Sequence, residues 1–265
     1  MPGLLIVNPR SGEGGLEELR AAAAEHGVTV HELGEGEDPA APARAAPAGP
    51  VGIAGGDGSL APVASVCVER GLPFVCVPFG TRNHFARDLG LDRDDPVAAL
   101  AAFGDGVERR IDVGRANGRL FLNNVSLGLY AQLVHRREHH RRRSETLARL
   151  RALAALARSP EPIGITVDGE PVRARVVLVA SNEYALEPWS LGERQRLDEG
   201  RLYLYVPAGL LRPEWRGREA ESFVVDARRP LRAAVDGEPD VLSPPIEFRI
   251  EPRALRVLVP RDPDA

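Results

Sequence analysis

The chain has 265 residues, a formal net charge of −4 at pH 7 and a sequence pI near 5.9. That length can bury two cores of ordinary size, and the lack of an overall positive field excludes a general nucleic-acid binder, which needs basic charge to displace counterions. All 34 basic residues are arginine, which removes a Walker-type phosphate loop and a protein-kinase catalytic lysine together. Cys67 and Cys76 lie inside apolar segments and read as buried thiols of a reduced, cytoplasmic protein. No signal peptide or membrane-spanning run is apparent. Any membrane contact is then peripheral, at the inner face. The oligomeric state stays open, a homodimer being one alternative.

Leu4 to Val7 is a short apolar run of the kind used by a strand buried on both faces, and Asn8-Pro9-Arg10-Ser11-Gly12 follows as a turn. A helix is expected over Leu16 to His26, closed by Gly27, and a strand over Val28 to Leu33. Prolines at 42, 47 and 50 confine Gly34 to Pro50 to a loop with a short helix at most. Val51 to Ala54 is a second apolar run, and Gly55-Gly56-Asp57-Gly58-Ser59 follows it directly. Glycines let the backbone approach a ligand closely, and the N–H groups at the next helix start suit phosphate oxygens. Asp57 faces the same ligand, and a carboxylate beside phosphates implies a cation between them, hence a magnesium nucleotide.

A helix over Ser59 to Arg70, a strand over Pro73 to Pro78 and a polar turn at Gly80-Thr81-Arg82-Asn83 complete a third strand–turn unit. The repetition predicts a parallel sheet whose ligands bind at the carboxyl ends of its strands. Helices are expected over Asn83 to Leu89 and Asp95 to Phe103. After about residue 107 strands dominate. Glu108 to Arg115 and Leu120 to Leu127 flank Asn117-Gly118, a strong hairpin signal. The basic stretch His135 to Arg143 leads into an expected helix over Ser144 to Arg158. Further strands are expected at Ile163 to Val167, Val172 to Ala180, Leu202 to Val206, Phe223 to Ala227, Leu231 to Val235, Ile246 to Ile250 and Leu255 to Val259. The fold expectation is an α/β domain with a Rossmann-like parallel sheet over 1–112, followed by a β-sandwich over 113–265, with a cleft between them.

Taken in order, Asn8-Pro9 with Ser11-Gly12, Gly55 to Ser59, Gly80-Thr81-Arg82-Asn83 with Phe85-Ala86-Arg87, Ile111 to Gly114, Phe121 to Gly128 and Asp236-Gly237-Glu238 resemble the motifs of the diacylglycerol kinase catalytic-domain family. The resemblance covers nearly the whole chain. It implies ATP held by the Asn8 to Gly12 turn, the Gly56 to Pro62 segment and Thr81, with Asn83 beside them, and transfer to a hydroxyl of a lipid or lipid-like acceptor. Asp236 is the favoured general base, since a base must reach the hydroxyl. Glu238 would orient that hydroxyl or bind a water on the metal. Asp57 and Asp112 would complete an acidic, metal-linked network. Arg196 to Arg201 resembles a family metal loop, with Glu199 as ligand, Asp198 beside it and carbonyls of Arg196 and Arg201 contributing, a hard oxygen set suited to Mg2+. Apart from the resemblance, the basic run His135 to Arg143 reads either as a solvated face or as a surface that docks on anionic headgroups.

Departures from the pattern stand at Glu13, at Ala61-Pro62 and at His84. They keep open a nucleotide- or lipid-binding protein that has lost catalysis, and the shared fold keeps open an NAD kinase-like enzyme. Val167 to Pro171 and Val235 to Pro239 carry the same five residues, Val-Asp-Gly-Glu-Pro. Because the family's acidic turn lies late in the chain, the first copy is assigned turn duty and the second chemistry.

Overall fold

The computed structural model describes residues 3–11, 14–81, 83–128, 162–185, 193–207 and 215–261. These divide into two compact units: Met1–Val113 with Gln195–Asp198 and Pro252–Ala265, and Gly114–Arg194 with Glu199–Glu251. The simple division at residue 112 expected from composition therefore leaves out two returns of the chain to the first unit.

The first unit runs β1 (Leu4–Val7), α1 (Leu16–Glu25), β2 (Thr29–Glu32), α2 (Ala40–Ala45), β3 (Val51–Gly55), α3 (Asp57–Arg70), β4 (Phe74–Pro78) and α4 (His84–Asp88). Its strands are parallel in the order β2-β1-β3-β4, with Leu4 opposite Thr29 on one side and Val51 on the other. Leu5 and Val7 join one core with Leu19, Ala54, Val75 and Leu100. Ile6, between them, is also fully buried, so both faces of the sheet are covered, as continuous apolar runs require. The helix expected over Asp95 to Phe103 is shorter and tighter. A 3-10 turn, Ala98–Ala101, runs into α5 (Ala102–Asp105), and the Asp95 carboxylate accepts the Ala98 N–H at its start.

The second unit begins at the end of β5 (Val107–Ala116) and contains β6 (Arg119–Phe121), β7 (Asn124–Gly128), β8 (Ile163–Val167), β9 (Glu170–Ala174), β10 (Val176–Ser181), β11 (Leu202–Pro207), β12 (Trp215–Ala220), β13 (Ser222–Ala227), β14 (Leu231–Val235), β15 (Glu238–Leu242) and the first part of β16 (Ile246–Val259). One antiparallel layer pairs β9, β8, β13 and β16; the other runs β12-β11-β10-β7-β14-β15. Val125, Val179, Leu204 and Val235 from the second layer meet Val167, Phe223 and Phe248 from the first in one core. This is the expected sandwich. Beyond the second unit β16 continues, and Val257 pairs with Phe74 of β4 in the first.

Two expected strands are each split. Leu120 to Leu127 breaks at Leu122-Asn123, where the chain passes from pairing with β5 to pairing with β10 and β14. Val172 to Ala180 breaks at Arg175 between layers. The strands expected at 246–250 and 255–259 are instead one element, β16, which carries Arg253 at φ 52. β12 and β15 were not legible as strands, because neither alternates in hydropathy over its length. The basic run His135 to Arg143 and the helix expected over Ser144 to Arg158 lie outside the described residues. Among the described residues no helix is long and apolar enough to cross a membrane.

Candidate functional site

β1 and β3 are neighbours, and the chain continues from β1 to β2 on one side and from β3 to β4 on the other. Ligands of parallel sheets bind at such a switch point, outside the carboxyl ends of the strands. Those ends carry Asn8 to Ser11 and Gly56 to Ser59. The Asn8 N–H donates to the Ala54 carbonyl at 2.9 Å, tying the first turn to the end of β3. Within the first turn Asn8 Oδ1 accepts the Arg10 N–H, the Asn8 carbonyl accepts the Ser11 N–H, and the Arg10 guanidinium reaches the Gly34 carbonyl at 3.1 Å. Pro9 lies within this turn; Gly12 lies outside the described residues.

The second and third turns touch backbone to backbone. A Cβ built on Gly80 would stand 2.5 Å from the Gly56 Cα, and one on Gly55 would stand 2.1 Å from Ser59 Oγ. Only glycine permits this approach. Ser59 Oγ donates to the Gly56 carbonyl at 2.8 Å. Gly58 lies in the first turn of α3. Asn83, buried and left-handed at φ 48, closes the third turn on itself: its Nδ2 donates to the Gly80 carbonyl and its Oδ1 accepts the Gly80 N–H. Thr81 is exposed at the same turn, and so is His84 at the start of α4. Asp57 links the turns: Oδ1 accepts the Phe85 N–H at 3.0 Å and Oδ2 the His84 N–H at 3.1 Å. Both of its oxygens thus accept N–H groups at the start of α4.

Asp112 is buried, and its Oδ1 accepts the Arg253 N–H at 2.8 Å while its own N–H donates to the Leu197 carbonyl at 2.7 Å. Asp198 lies between two guanidinium groups, 3.1 Å from Arg196 and 3.7 Å from Arg253. Glu199 belongs to the second unit, where its Oε2 accepts the Glu183 N–H at 2.9 Å; there the Arg201 carbonyl accepts the Asn182 N–H. Among the described residues no group of three or more His, Cys, Asp or Glu side chains is disposed to hold a metal ion. Of the expected magnesium loop, Asp198 is engaged by two guanidiniums, and Glu199 has one oxygen bonded to a backbone N–H.

In the second unit Asp236 and Gly237 form a two-residue hairpin turn, both left-handed at φ 48 and 85, between β14 and β15. Asp236 is 7% exposed and accepts three backbone N–H groups: Leu122 at 2.8 Å on Oδ2, Asn123 at 2.7 Å and Asn124 at 3.0 Å on Oδ1. Glu238, the first residue of β15, is exposed. On the far side of the Leu122 to Asn124 segment lies Arg194, a buried guanidinium that donates to the Leu122 carbonyl at 2.7 Å, the Ser181 carbonyl at 3.1 Å and Asn123 Oδ1 at 2.6 Å. It lies 5.8 Å from the centre of the Tyr184 ring, which stacks on Tyr205. Burial pushes the Tyr205 phenol up to about 12, so it stays a neutral partner of the Tyr184 N–H. Sequence reading missed Arg194 and Tyr184, because one arginine among 34 basic residues carries no mark of burial.

The twin of the acidic turn behaves differently. Asp168 and Gly169 adopt the same left-handed pair, φ 52 and 81, yet Asp168 is exposed, accepts the Val224 N–H at 2.9 Å and faces Arg218 at 3.8 Å.

A family model of the diacylglycerol kinase catalytic domain matches residues 2–116. Over 84 residues the chain is 36% identical to a diacylglycerol kinase of Bacillus subtilis, covering 31% of this chain and 28% of that one. Over 141 residues it is 35% identical to a probable YegS-like lipid kinase of Pseudomonas aeruginosa, covering 49% and 45%. These matches span less than half the length of either relative. The crystal structure of a diacylglycerol kinase from Bacillus anthracis aligns over 99% of this chain and 97% of its own, with a TM-score of 0.72 at 20% identity. The fold is the same.

Proposed function

We propose that this chain, whose residues 2–116 match the diacylglycerol kinase catalytic-domain model, transfers the γ-phosphoryl group of ATP to a hydroxyl of a lipid or lipid-like acceptor. The observation that carries the reading is the gathering of three polar turns at the carboxyl ends of β1, β3 and β4, held by glycine-to-glycine contact and by the Asp57 cap. Phosphoryl transfer calls for positioning and for fixed dipoles at the phosphates more than for covalent chemistry. The N–H groups at the start of α3 supply those dipoles, with the Ser11 and Thr81 hydroxyls and the Asn8 amide group beside them. Magnesium enters as the counter-ion of the nucleotide, part of the substrate.

The acidic turn supplies the base. Asp236 is buried and both its oxygens are engaged by backbone N–H groups, whereas a base must reach the acceptor hydroxyl itself. We therefore assign proton acceptance to Glu238 and orientation of the turn to Asp236, the reverse of the division drawn from the sequence. An acceptor taken from a bilayer needs a docking surface, and the arginines of the His135 to Arg143 run would attract anionic headgroups at the inner face of the membrane.

The test is incubation of the purified protein with magnesium and γ-labelled ATP, offering extracted lipids and NAD in parallel. Label in the organic phase upholds the proposal. Label in NAD, or nucleotide binding with no transfer to either, overturns it.

A further inference from the structure

We propose that Arg194 is a positioning residue for the acidic turn Asp236–Glu238, acting through the segment Leu122 to Asn124. This rests on the reading of that turn as the place where the acceptor proton is taken.

Leu122 and Asn123 lie in the break between β6 and β7, where neither residue belongs to a strand ladder. Their backbone groups must therefore find partners elsewhere. The N–H groups of both go to the Asp236 carboxylate. The Asn123 carbonyl accepts the Ser181 N–H at 3.1 Å, and the Leu122 carbonyl accepts from Arg194 at 2.7 Å. A buried cation and a buried carboxylate thus grip opposite sides of one peptide segment. Return bonding completes the link: the Asp236 N–H donates to the Asn124 carbonyl at 2.9 Å. If Leu122 to Asn124 shifts, Asp236 shifts with it, and Glu238 lies two positions further along the same hairpin.

Arg194 is itself held in place. Besides Leu122, it bonds the Ser181 carbonyl and Asn123 Oδ1, and its guanidinium lies over the Tyr184 ring. Tyr184 is fixed in turn, its hydroxyl accepting from Asn124 Nδ2 and its N–H donating to the Tyr205 hydroxyl, each at 2.9 Å. The planar fork serves acceptors in two directions at once, which an ammonium group does not reproduce. The burial of an arginine on this segment is therefore explained by the geometry it imposes there.

The experiment compares the parent chain with Arg194→Met, which keeps the stem and removes the charge, and Arg194→Lys, which keeps the charge and removes the fork. Native-state amide exchange is read at Leu122, Asn123 and Asn124, beside kcat for lipid phosphorylation and KM for ATP. Arg194→Met is expected to speed exchange at those amides by about tenfold or more and to lower kcat by about tenfold or more, with KM for ATP within about twofold. Arg194→Lys should fall between Arg194→Met and the parent. If Arg194→Met does not fold, Arg194→Lys carries the same readouts. Unchanged exchange at the three amides overturns the proposal, and so does faster exchange with unchanged kcat. Should the parent phosphorylate no lipid, the kinase reading fails by itself; the exchange comparison then still decides whether Arg194 holds this segment.

Discussion

The Asp236 carboxylate accepts the Asn123 N–H at 2.7 Å across 113 positions of chain. With the Leu122 and Asn124 N–H groups on the same carboxylate, the hairpin of β14 and β15 is fastened to the point where β6 gives way to β7. Asp236→Asn turns an amide N–H₂ toward one of those donors and leaves a buried N–H unpaired, a loss of about 1–3 kcal/mol. The expected result is a lowered melting temperature together with weak turnover. Glu238→Gln is expected to leave melting unchanged and to abolish phosphate transfer. Unchanged turnover in Glu238→Gln would return the base to Asp236.

Asp168→Asn serves as the matched control. The residue stands in the same turn conformation but is exposed, with one backbone N–H donor and a distant arginine. Its replacement should change stability by no more than about 0.5 kcal/mol and leave kcat unaltered. Denaturant titration and the lipid kinase assay would read both.

Gly80→Ala places a methyl group 2.5 Å from the Gly56 Cα, against backbone that cannot rotate away. The two turns must separate, at about 1–3 kcal/mol, and ATP affinity is expected to fall about tenfold or more as the phosphate-facing groups lose register. Calorimetric titration with magnesium ATP checks the second expectation and thermal unfolding the first. ATP binding equal to the parent's would show that the contact between these turns is irrelevant to the nucleotide.

Removal of the Asp57 carboxylate leaves the His84 and Phe85 N–H groups without the cap they have now. Asp57→Ala should cost about 1–2 kcal/mol of stability. It should weaken ATP binding while leaving the dependence of turnover on magnesium concentration unshifted. A parent-like melting curve combined with a shifted magnesium optimum would restore the metal-linked role.

Burial pushes the Cys67 thiol up to about 12 from 9.0, and pushes Cys76 up as well. The folded state therefore holds both as neutral thiols, which attack disulfide reagents poorly. Neither should react with an aromatic disulfide reagent at pH 8 until the chain is unfolded. A folded pKa above the unfolded one gives stability that is fully present below about pH 9 and is lost as pH rises toward 12. Denaturation midpoints are thus expected to fall across that range. Rapid labelling of the native protein at pH 8 would contradict the buried placement.

What the sequence determined by itself is local in origin. Apolar runs such as Leu4 to Val7 and Phe74 to Pro78 are buried strands, and Asn117-Gly118, Asp168-Gly169 and Asp236-Gly237 are left-handed hairpin turns, because backbone preference and hydropathy period act within a few residues. The order of the glycine turns likewise announced the edge of the parallel sheet at which the three polar turns gather. What only the tertiary structure decided is the work of each charged group. Val-Asp-Gly-Glu-Pro occurs twice with one backbone conformation, yet Asp236 is buried against three N–H groups while Asp168 is exposed. Asp57 and Asp198, both read as metal-linked acids, accept N–H groups at a helix start and face two arginines respectively, contacts that no local pattern announced. Arg194 left no trace in the pattern at all. The reason is physical: the energy of a charge is set by the donors and the dielectric around it, and those come from strands far away in sequence that only folding brings near.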